Sequence, residues 1–189
     1  MNDSIALFDR KAVRRQRGRA AENISAHDFL YKDVASRLAD RLQDINRQFE
    51  TVLDIGGGHG AVELAHAPKT YITGDLSETL LKDLDRSRVL VMDEEFLPFS
   101  ENSLDLVISC LALHWANDLP GALVQICRAL KPDGLFLAAV LGGDTLIELR
   151  RVFLEAEAET TGGTSPRTSP VVEIADTGTL LQRAGFALP

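Results

Sequence analysis

Cysteine and histidine are scarce in this sequence, and neither is arranged as a metal site. The chain has two cysteines, Cys110 and Cys127, and four histidines, and none follows the short spacings that metal ligands usually show. Both cysteines stand among apolar residues, a setting that favours buried and reduced thiols. The sequence therefore predicts no metal centre and indicates a reducing compartment.

Long hydrophobic runs are also missing. The longest apolar stretches, such as 134–143, are much shorter than the roughly 20 residues that a membrane-spanning helix needs. The first seven residues include Asp3 and lack the apolar core of a secretory signal. With 189 residues, 45% of them hydrophobic and 25% charged, the chain has the composition of an ordinary globular protein. We therefore expect a cytoplasmic protein with no membrane span.

Positive charge is in deficit and is concentrated at the start of the chain. The formal net charge is −8, but residues 1–22 hold six basic and three acidic side chains, which leaves 14 basic and 25 acidic ones in the remainder. An acidic body repels a phosphate backbone, so no nucleic-acid substrate is expected. The basic arm is either a solvated, partly frayed helix face or a contact for an acidic partner.

Apolar residues recur at helical spacing before residue 50 and in short runs after it. Between Leu30 and Phe49 they form one stripe of a helix, so residues 1–50 are predicted to form a helical arm. Aliphatic and helical segments then alternate, which favours an open, doubly wound parallel sheet with helices on both faces. The predicted strands are 51–55, 70–74, 88–92, 104–110 and 134–141, and the predicted helices are 61–67, 78–84, 119–130, 145–159 and 172–184. Phe186 looks like the start of a sixth strand.

A glycine-rich loop follows the first predicted strand and contains Asp54, Gly56, Gly58 and Gly60. Glycines permit a tight turn and let a ligand approach the backbone. The segment fits a dinucleotide fingerprint as well as the pattern D-x-G-x-G-x-G, so the glycines alone do not choose between NAD and S-adenosylmethionine. Asp54 favours S-adenosylmethionine, because a carboxylate there would repel a pyrophosphate but could help to bind the ammonium and sulfonium groups of an aminoacyl cofactor.

Two further carboxylates are predicted at the ends of the next two strands, where the ligands of open α/β sheets bind. Asp75 follows the second strand and can accept hydrogen bonds from ribose hydroxyls, a feature that NAD-binding proteins share. Asp93 follows the third strand and offers an acceptor to an adenine amino group. The adjacent Glu94 and Glu95 belong either to the same site or to a solvated turn.

The segment after the fourth predicted strand carries the candidate catalytic residues His114, Trp115 and Asn117. They are expected to face the reactive end of the cofactor, and a histidine can act as a base near neutral pH. Alternatively, His114 and Trp115 cap the core, and Asp118 caps the helix that follows. No catalytic triad is visible. Methyl transfer from a sulfonium does not need one, because the leaving group is neutral and alignment lowers much of the barrier.

These motifs resemble those of the class I S-adenosylmethionine-dependent methyltransferases over approximately 51–141. The resemblance implies a Rossmann-like α/β fold with S-adenosylmethionine as the cofactor, and it adds three residues to the cofactor site: Leu76, Glu94 and Leu111. Sheets of this family normally have seven strands and end in an antiparallel hairpin. The sequence stops before such a hairpin, so residues 51–189 are expected to form a C-terminally truncated methyltransferase domain.

Longer motifs narrow the resemblance to two groups. The complex I assembly factors of methyltransferase fold are similar at 93–99, 113–115, 117–120, 130–134 and 142–146. The malonyl-carrier-protein methyltransferases of biotin synthesis are less similar and usually have glutamine in place of His114. The resemblance implies a methyltransferase acting on an unidentified protein or small molecule. It also implies an alternative, an assembly factor that binds or hydroxylates an arginine of a respiratory complex I subunit, in the mitochondrial matrix if the organism is a eukaryote.

Overall fold

The computed structural model describes residues 6–59, 62–85, 88–165 and 167–187. These residues form five β-strands: β1 (Thr51–Ile55), β2 (Thr70–Asp75), β3 (Val89–Val91), β4 (Leu104–Cys110) and β5 (Leu130–Ala139). They also form six α-helices: α1 (Arg10–Ala20), α2 (Phe29–Gln43), α3 (Glu78–Leu81), α4 (Leu119–Ala129), α5 (Ile147–Thr161) and α6 (Ile174–Ala184). Short 3₁₀ segments lie at Ala21–Ala26, Gly57–His59 and Leu113–Trp115.

The five strands make one parallel sheet in the order β3-β2-β1-β4-β5. The chain starts the sheet at its centre, extends it to one side through β2 and β3, and then crosses to the other side with β4. β5 pairs with β4 and has no described strand on its outer side. The predicted Rossmann-like doubly wound parallel sheet is thereby confirmed.

Alternate residues of the central strands enter two separate cores. Leu53 and Ile55 of β1 face a cluster that includes Leu123 and Ile126 of α4 and the half-buried residues of α6. Val52, together with Leu106 and Ile108 of β4, faces the opposite cluster, where Leu38 and Leu42 of α2 cover the sheet. The aliphatic strand segments carry apolar side chains toward both cores because helices cover both faces of the parallel sheet.

The predicted helix at 61–67 is wrong for its described part, since residues 62–67 have no helical structure. The backbone of Val62 instead makes hydrogen bonds to residues of the sheet. Its carbonyl oxygen accepts a hydrogen bond from the Tyr71 hydroxyl at 3.3 Å, and Asp54 accepts a hydrogen bond from the Val62 backbone. A segment of seven residues is also too short to be stable as a helix without tertiary support.

Several other bounds differ from the sequence prediction by a few residues, among them the end of α3 at Leu81 rather than at residue 84. β5 begins at Leu130 rather than at residue 134, because the strand contains an irregularity with Asp133 at φ 63° and a register shift opposite β4. Phe186 does not begin a sixth strand: its N–H donates to Leu181 O at 3.1 Å after α6, and its ring packs 5.4 Å from that of Phe136. Among the described residues, no helix combines the length and apolarity that a membrane span requires.

Candidate cofactor site

The order of the strands reverses at the carboxyl end of β1, where the chain enters the glycine loop. β2 lies on one side of β1 and β4 on the other, so the ends of the two crossover connections diverge at this point. Crevices of this kind are where the ligands of open α/β sheets bind. The structure brings Asp54, Asp75 and Asp93 together at this edge, each at or near the carboxyl end of its strand.

Asp54 is fully buried in β1. Its Oδ2 accepts a hydrogen bond from Tyr71 Oη at 2.9 Å, whereas its Oδ1 has no hydrogen-bond partner in the described part of the chain. Burial raises the pKa of Asp54 to about 7, although the hydrogen bonds from Tyr71 and Val62 oppose the shift. A cation placed beside this carboxyl group would therefore favour its ionised form.

The glycine loop is packed so closely that side chains would not fit. Gly56 has a φ of 76°, and a Cβ atom there would overlap with the Cβ of Ala112. A Cβ atom on Gly58 would stand 2.7 Å from Leu80 Cβ and 3.1 Å from Asp75 Oδ2. Gly56 also lines a cavity beside α1. Gly60 lies outside the described residues.

Asp75 ends β2 and is also buried. Its Oδ1 accepts a hydrogen bond from the Ser77 N–H at 2.8 Å and another from Arg17 Nη1 at 3.4 Å. Its Oδ2 has no partner among the described residues and can accept from a hydroxyl donor. Burial raises the pKa of Asp75, although the charge of Arg17 opposes the shift. Leu76 is half-buried next to it.

An arginine of the N-terminal arm binds Asp93 and Glu94. Arg10 donates from Nε to Asp93 Oδ2 at 3.0 Å and from Nη2 to Asp93 Oδ1 at 2.6 Å, which is a two-point fork. It also pairs with Glu94 and donates from Nη1 to Trp115 O at 2.8 Å. Glu94 is only 1% exposed, so the solvated-turn alternative is wrong for this residue.

Arg17, two turns further along α1, pairs with Glu94 and with Asp75. Its Nη2 lies 2.5 Å from Glu94 Oε1, and its side chain is 10% exposed. Arg10 and Arg17 are seven residues apart and share one face of the helix with Val13, which is buried between them. This inner face of α1 covers the strand ends, and the solvated-face alternative holds only for the outer face.

Asn117 holds the segment that precedes α1. Its Oδ1 accepts a hydrogen bond from the Phe8 N–H at 2.7 Å, and its Nδ2 donates to Phe8 O at 3.1 Å. Its own N–H donates to Glu95 Oε1 at 2.7 Å, so Glu95 is no solvated turn residue either. The Trp115 ring meets the Phe8 ring edge to face at 5.4 Å. Two of the three candidate catalytic residues therefore contact the N-terminal segment.

Replacing Asn117 with alanine is expected to release this segment, because both main-chain groups of Phe8 lose their partner. Two neutral hydrogen bonds contribute about 1–3 kcal/mol together, so exchange of the Phe8 amide hydrogen should accelerate about tenfold or more. Hydrogen exchange followed by mass spectrometry measures this. Asn46→Ala, an exposed change elsewhere, is the control. An unchanged exchange rate in Asn117→Ala would show that the clamp does not hold the segment.

His114 and His59 are largely buried imidazoles. Burial lowers the pKa of each to about 4, and the charge of Arg17 adds to the effect. The Nδ1 of each has no hydrogen-bond partner in the described part of the chain. His59 stacks on Tyr31 with 4.2 Å between ring centroids, and His114 lies 5.2 Å from Trp115. Both are therefore neutral at physiological pH and able to accept a hydrogen bond.

The predicted cap by Asp118 at the start of α4 is present, since its Oδ1 accepts a hydrogen bond from the Gly121 N–H at 2.9 Å.

A cavity of about 190 Å³ remains between α1 and the glycine loop. Its wall combines apolar side chains with a few polar ones and includes Val13, Arg17, Tyr31, Gly56, His59 and Leu111. Leu111 follows β4 with a φ of 53°. Pockets for small ligands and cofactors usually measure about 300–1,000 Å³, so this cavity holds only part of a nucleoside cofactor.

The sequence analysis missed three residues of this site: Arg10, Arg17 and Tyr71. The spacing of Arg10, Val13 and Arg17 by three and four residues does mark one helix face. A cationic face is normally solvated, however, and the sequence has no separate signal that this one is turned inward. Tyr71 lies in β2 beside β1, and no spacing rule links its hydroxyl to Asp54.

Known proteins similar to this chain include one named as an arginine hydroxylase and one named as a methyltransferase. Residues 53–138 match the family described as "Methyltransferase domain". The chain is 45% identical over 192 residues to the human protein "Arginine-hydroxylase NDUFAF5, mitochondrial". The aligned region covers 97% of this chain and 56% of the relative. It is 34% identical over 206 residues to the "Malonyl-[acyl-carrier protein] O-methyltransferase" of Gallionella capsiferriformans, covering 100% of this chain and 68% of that enzyme.

The chain thus spans just over half the length of the human relative. Among solved structures, an S-adenosylmethionine-dependent methyltransferase from Thermotoga maritima superposes with a TM-score of 0.62 at 19% identity, over 89% of this chain and 78% of that one. At that identity the likeness concerns the fold. The fold, the matched domain and the relative covered over more than two thirds of its length agree: the chain belongs to the class I S-adenosylmethionine-dependent methyltransferase family.

Proposed function

We propose that this chain binds S-adenosylmethionine at the carboxyl ends of β1, β2 and β3 and is a methyltransferase for an unidentified protein or small-molecule acceptor. The observation that carries the proposal is the convergence of Asp54, Asp75 and Asp93 around glycines 56–58, where added Cβ atoms would clash. The two free cysteines of the chain are compatible with the reducing cytoplasm or, in a eukaryote, with the mitochondrial matrix.

The polar atoms left over in the crevice fit the chemistry of this cofactor. Asp54 Oδ1 and Asp75 Oδ2 are buried acceptors without partners among the described residues, and buried polar groups normally have one. In the proposal, Asp54 serves the ammonium end, Asp75 the ribose hydroxyls and Asp93 the adenine amino group. Gly56, Gly58 and Gly60 permit close approach of the backbone, Glu94 contributes to the adenine end, and Leu76 and Leu111 supply apolar surface.

The bound cofactor would supply a sulfonium methyl group, whose carbon forms a bond to the acceptor as its bond to sulfur breaks and the electron pair stays on sulfur. The chain itself contributes position and shielding from water. Trp115 and Leu111 line the cavity beside Gly56, where an acceptor would enter. The neutral His114 imidazole is the candidate to take a proton from the acceptor. Asn117 acts on the N-terminal segment instead.

The 45% identity to the protein named "Arginine-hydroxylase NDUFAF5, mitochondrial" favours a second candidate function. In this alternative the chain is a complex I assembly factor that binds a respiratory subunit or hydroxylates one of its arginines. Intact-mass analysis of a candidate subunit separates the two reactions, since methylation adds one CH₂ unit and hydroxylation adds one oxygen atom. Co-purification with a subunit that is left unmodified would support assembly alone.

Isothermal titration calorimetry with S-adenosylmethionine, S-adenosylhomocysteine and NAD tests the proposed cofactor. We expect both sulfur compounds to bind with a dissociation constant in the micromolar range, about −8 kcal/mol. NAD should bind at least about 100-fold more weakly, because its pyrophosphate meets the buried carboxyl group of Asp54. Binding of NAD without binding of either sulfur compound would contradict the proposal.

A further inference from the structure

The inner face of α1 occupies the carboxylates that the proposed cofactor needs. Arg10 engages both oxygens of Asp93, and Arg17 engages Asp75 Oδ1. Glu94 pairs with both arginines. A carboxylate whose two oxygens already receive a guanidinium fork has little capacity left for an adenine amino group.

Space is limited in the same place. The cavity beside Gly56 measures about 190 Å³, below the range of about 300–1,000 Å³ for pockets that hold small ligands. Val13, Arg17 and Trp115 form part of its wall, and Arg10 donates a hydrogen bond to the carbonyl oxygen of Trp115. The cavity would therefore enlarge toward Asp93 and Asp75 if the two arginine side chains withdrew.

The attachment of α1 to the body is mainly polar. Val13 is its one buried apolar residue, and Arg10 and Arg17 make ion pairs with carboxylates at the strand ends. The helix also lies against α3. Ahead of the helix, Asn117 and Trp115 hold Phe8. Ion pairs and hydrogen bonds of this kind stabilise the structure while both partners are present. Each partner can also be replaced by another charged or hydrogen-bonding group.

A break in helical geometry follows α1. The 3₁₀ segment Ala21–Ala26 contains Asn23 at φ −126°, ψ 16°, and His27 follows at φ −131°. None of the residues 21–26 is buried. Non-helical positions between two helices are where changes in φ and ψ can be absorbed, so a movement of α1 relative to α2 would be centred on this segment.

We propose that α1 is an intramolecular gate: Arg10 and Arg17 hold Asp93, Glu94 and Asp75, and they must leave these carboxylates before S-adenosylmethionine binds. The gate rests on the proposed cofactor site. Its physical reason is the cost of leaving the buried carboxylates of Asp75 and Glu94 without a charged or hydrogen-bonding partner. The arginines satisfy that requirement until the ribose and adenine groups replace them.

The gate predicts that Arg10→Ala binds S-adenosylhomocysteine more tightly than the native chain does. Removing one competing guanidinium raises the fraction of molecules that are competent to bind, and we expect the dissociation constant to fall about tenfold. Arg14→Ala is the matched control, because Arg14 is exposed on the outer face of the same helix. Its dissociation constant should equal that of the native chain.

A second measurement does not depend on any variant. Trypsin can cut after Arg14, Arg15 and Arg19 on the outer face of α1 once the helix detaches. If the gate opens on binding, saturating S-adenosylhomocysteine accelerates cleavage at these arginines. Protection by the ligand would overturn the gate, since α1 would then close over the cofactor rather than make way for it.

The calorimetric outcomes separate the gate from the site on which it rests. If the native chain and Arg10→Ala bind S-adenosylhomocysteine equally well, or if the variant binds more weakly, the gate is overturned and the cofactor site stands. If neither binds, the proposed cofactor site is overturned and the gate with it. Binding by Arg10→Ala that the native chain lacks would support both.

Discussion

Replacing Asp54 with asparagine is expected to stabilise the protein at alkaline pH. The pKa of this carboxyl group is about 7 in the folded chain against 3.8 without burial. Between these values the folded state binds one more proton than the unfolded state, so the stability of the native chain falls as pH rises toward 7. Asparagine removes this penalty, which is on the order of 4 kcal/mol at about pH 8 and vanishes below about pH 4.

Urea unfolding of both proteins at about pH 4, 6 and 8 gives the free energies of unfolding to compare. The difference between Asp54→Asn and the native chain should grow with pH. Asp83→Asn, an exposed carboxyl replacement, should show no such trend. A pH-independent difference in stability would contradict the assignment of the raised pKa.

The same Asp54→Asn variant should bind S-adenosylhomocysteine about 10–100-fold more weakly, because a charge-assisted partner of the ammonium group is lost.

Replacing Gly56 with alanine is expected to cause the largest loss of stability in the glycine loop. The residue has a φ of 76°, and the new methyl group would overlap with the side chain of Ala112 just after β4. Both atoms belong to tightly packed backbone regions at the centre of the sheet, so neither can move cheaply. We expect a loss of about 3–5 kcal/mol from overpacking and backbone strain together, measured as a lower midpoint in urea.

Gly162 is the matched control for this substitution. Its φ is 69°, close to that of Gly56, but a Cβ atom there would meet nothing within 4 Å. Gly162→Ala should therefore lose only the conformational part, about 1–2 kcal/mol. Equal losses in the two variants would show that the contact with Ala112 does not matter. A larger loss in Gly56→Ala assigns the remainder to that contact.

The sheet was predictable because its strands are short, aliphatic and buried on both faces. The bounds of β1 and β4 agree with the prediction, since these strands lie in the middle of the sheet and are rich in buried aliphatic residues. The three acidic residues at the strand ends followed from the same pattern. Once the strands are parallel, the residues after them share one edge.

The parts that were mispredicted depend on contacts between distant segments. Residues 62–67 read as a helix from their own composition, but Val62 gives its backbone groups to Tyr71 and Asp54. Phe186 reads as a strand residue, but Gly185 at φ 104° ends α6 and turns the ring onto Phe136. In both cases tertiary packing overrides a weak local preference.

The position of the basic arm was not predictable from charge. Sequence alone favoured a solvated helix face over a contact for an acidic partner. The acidic partner of its inner face is the chain's own strand-end cluster, in which Arg10 and Arg17 meet Asp75, Asp93 and Glu94. A burial of this kind needs two arginines at helical spacing and three carboxylates at the ends of two different strands, which no local window of sequence contains.

The amide clamp of Asn117 has a consequence for which residues position 8 can tolerate. Asn117 addresses the N–H and the C=O of Phe8, as a neighbouring strand would, and these groups are common to every residue except proline. The side chain of Phe8 packs edge to face on the Trp115 ring. Position 8 is therefore free to vary among apolar side chains that can pack on an indole, and proline is the substitution that it rejects on main-chain grounds.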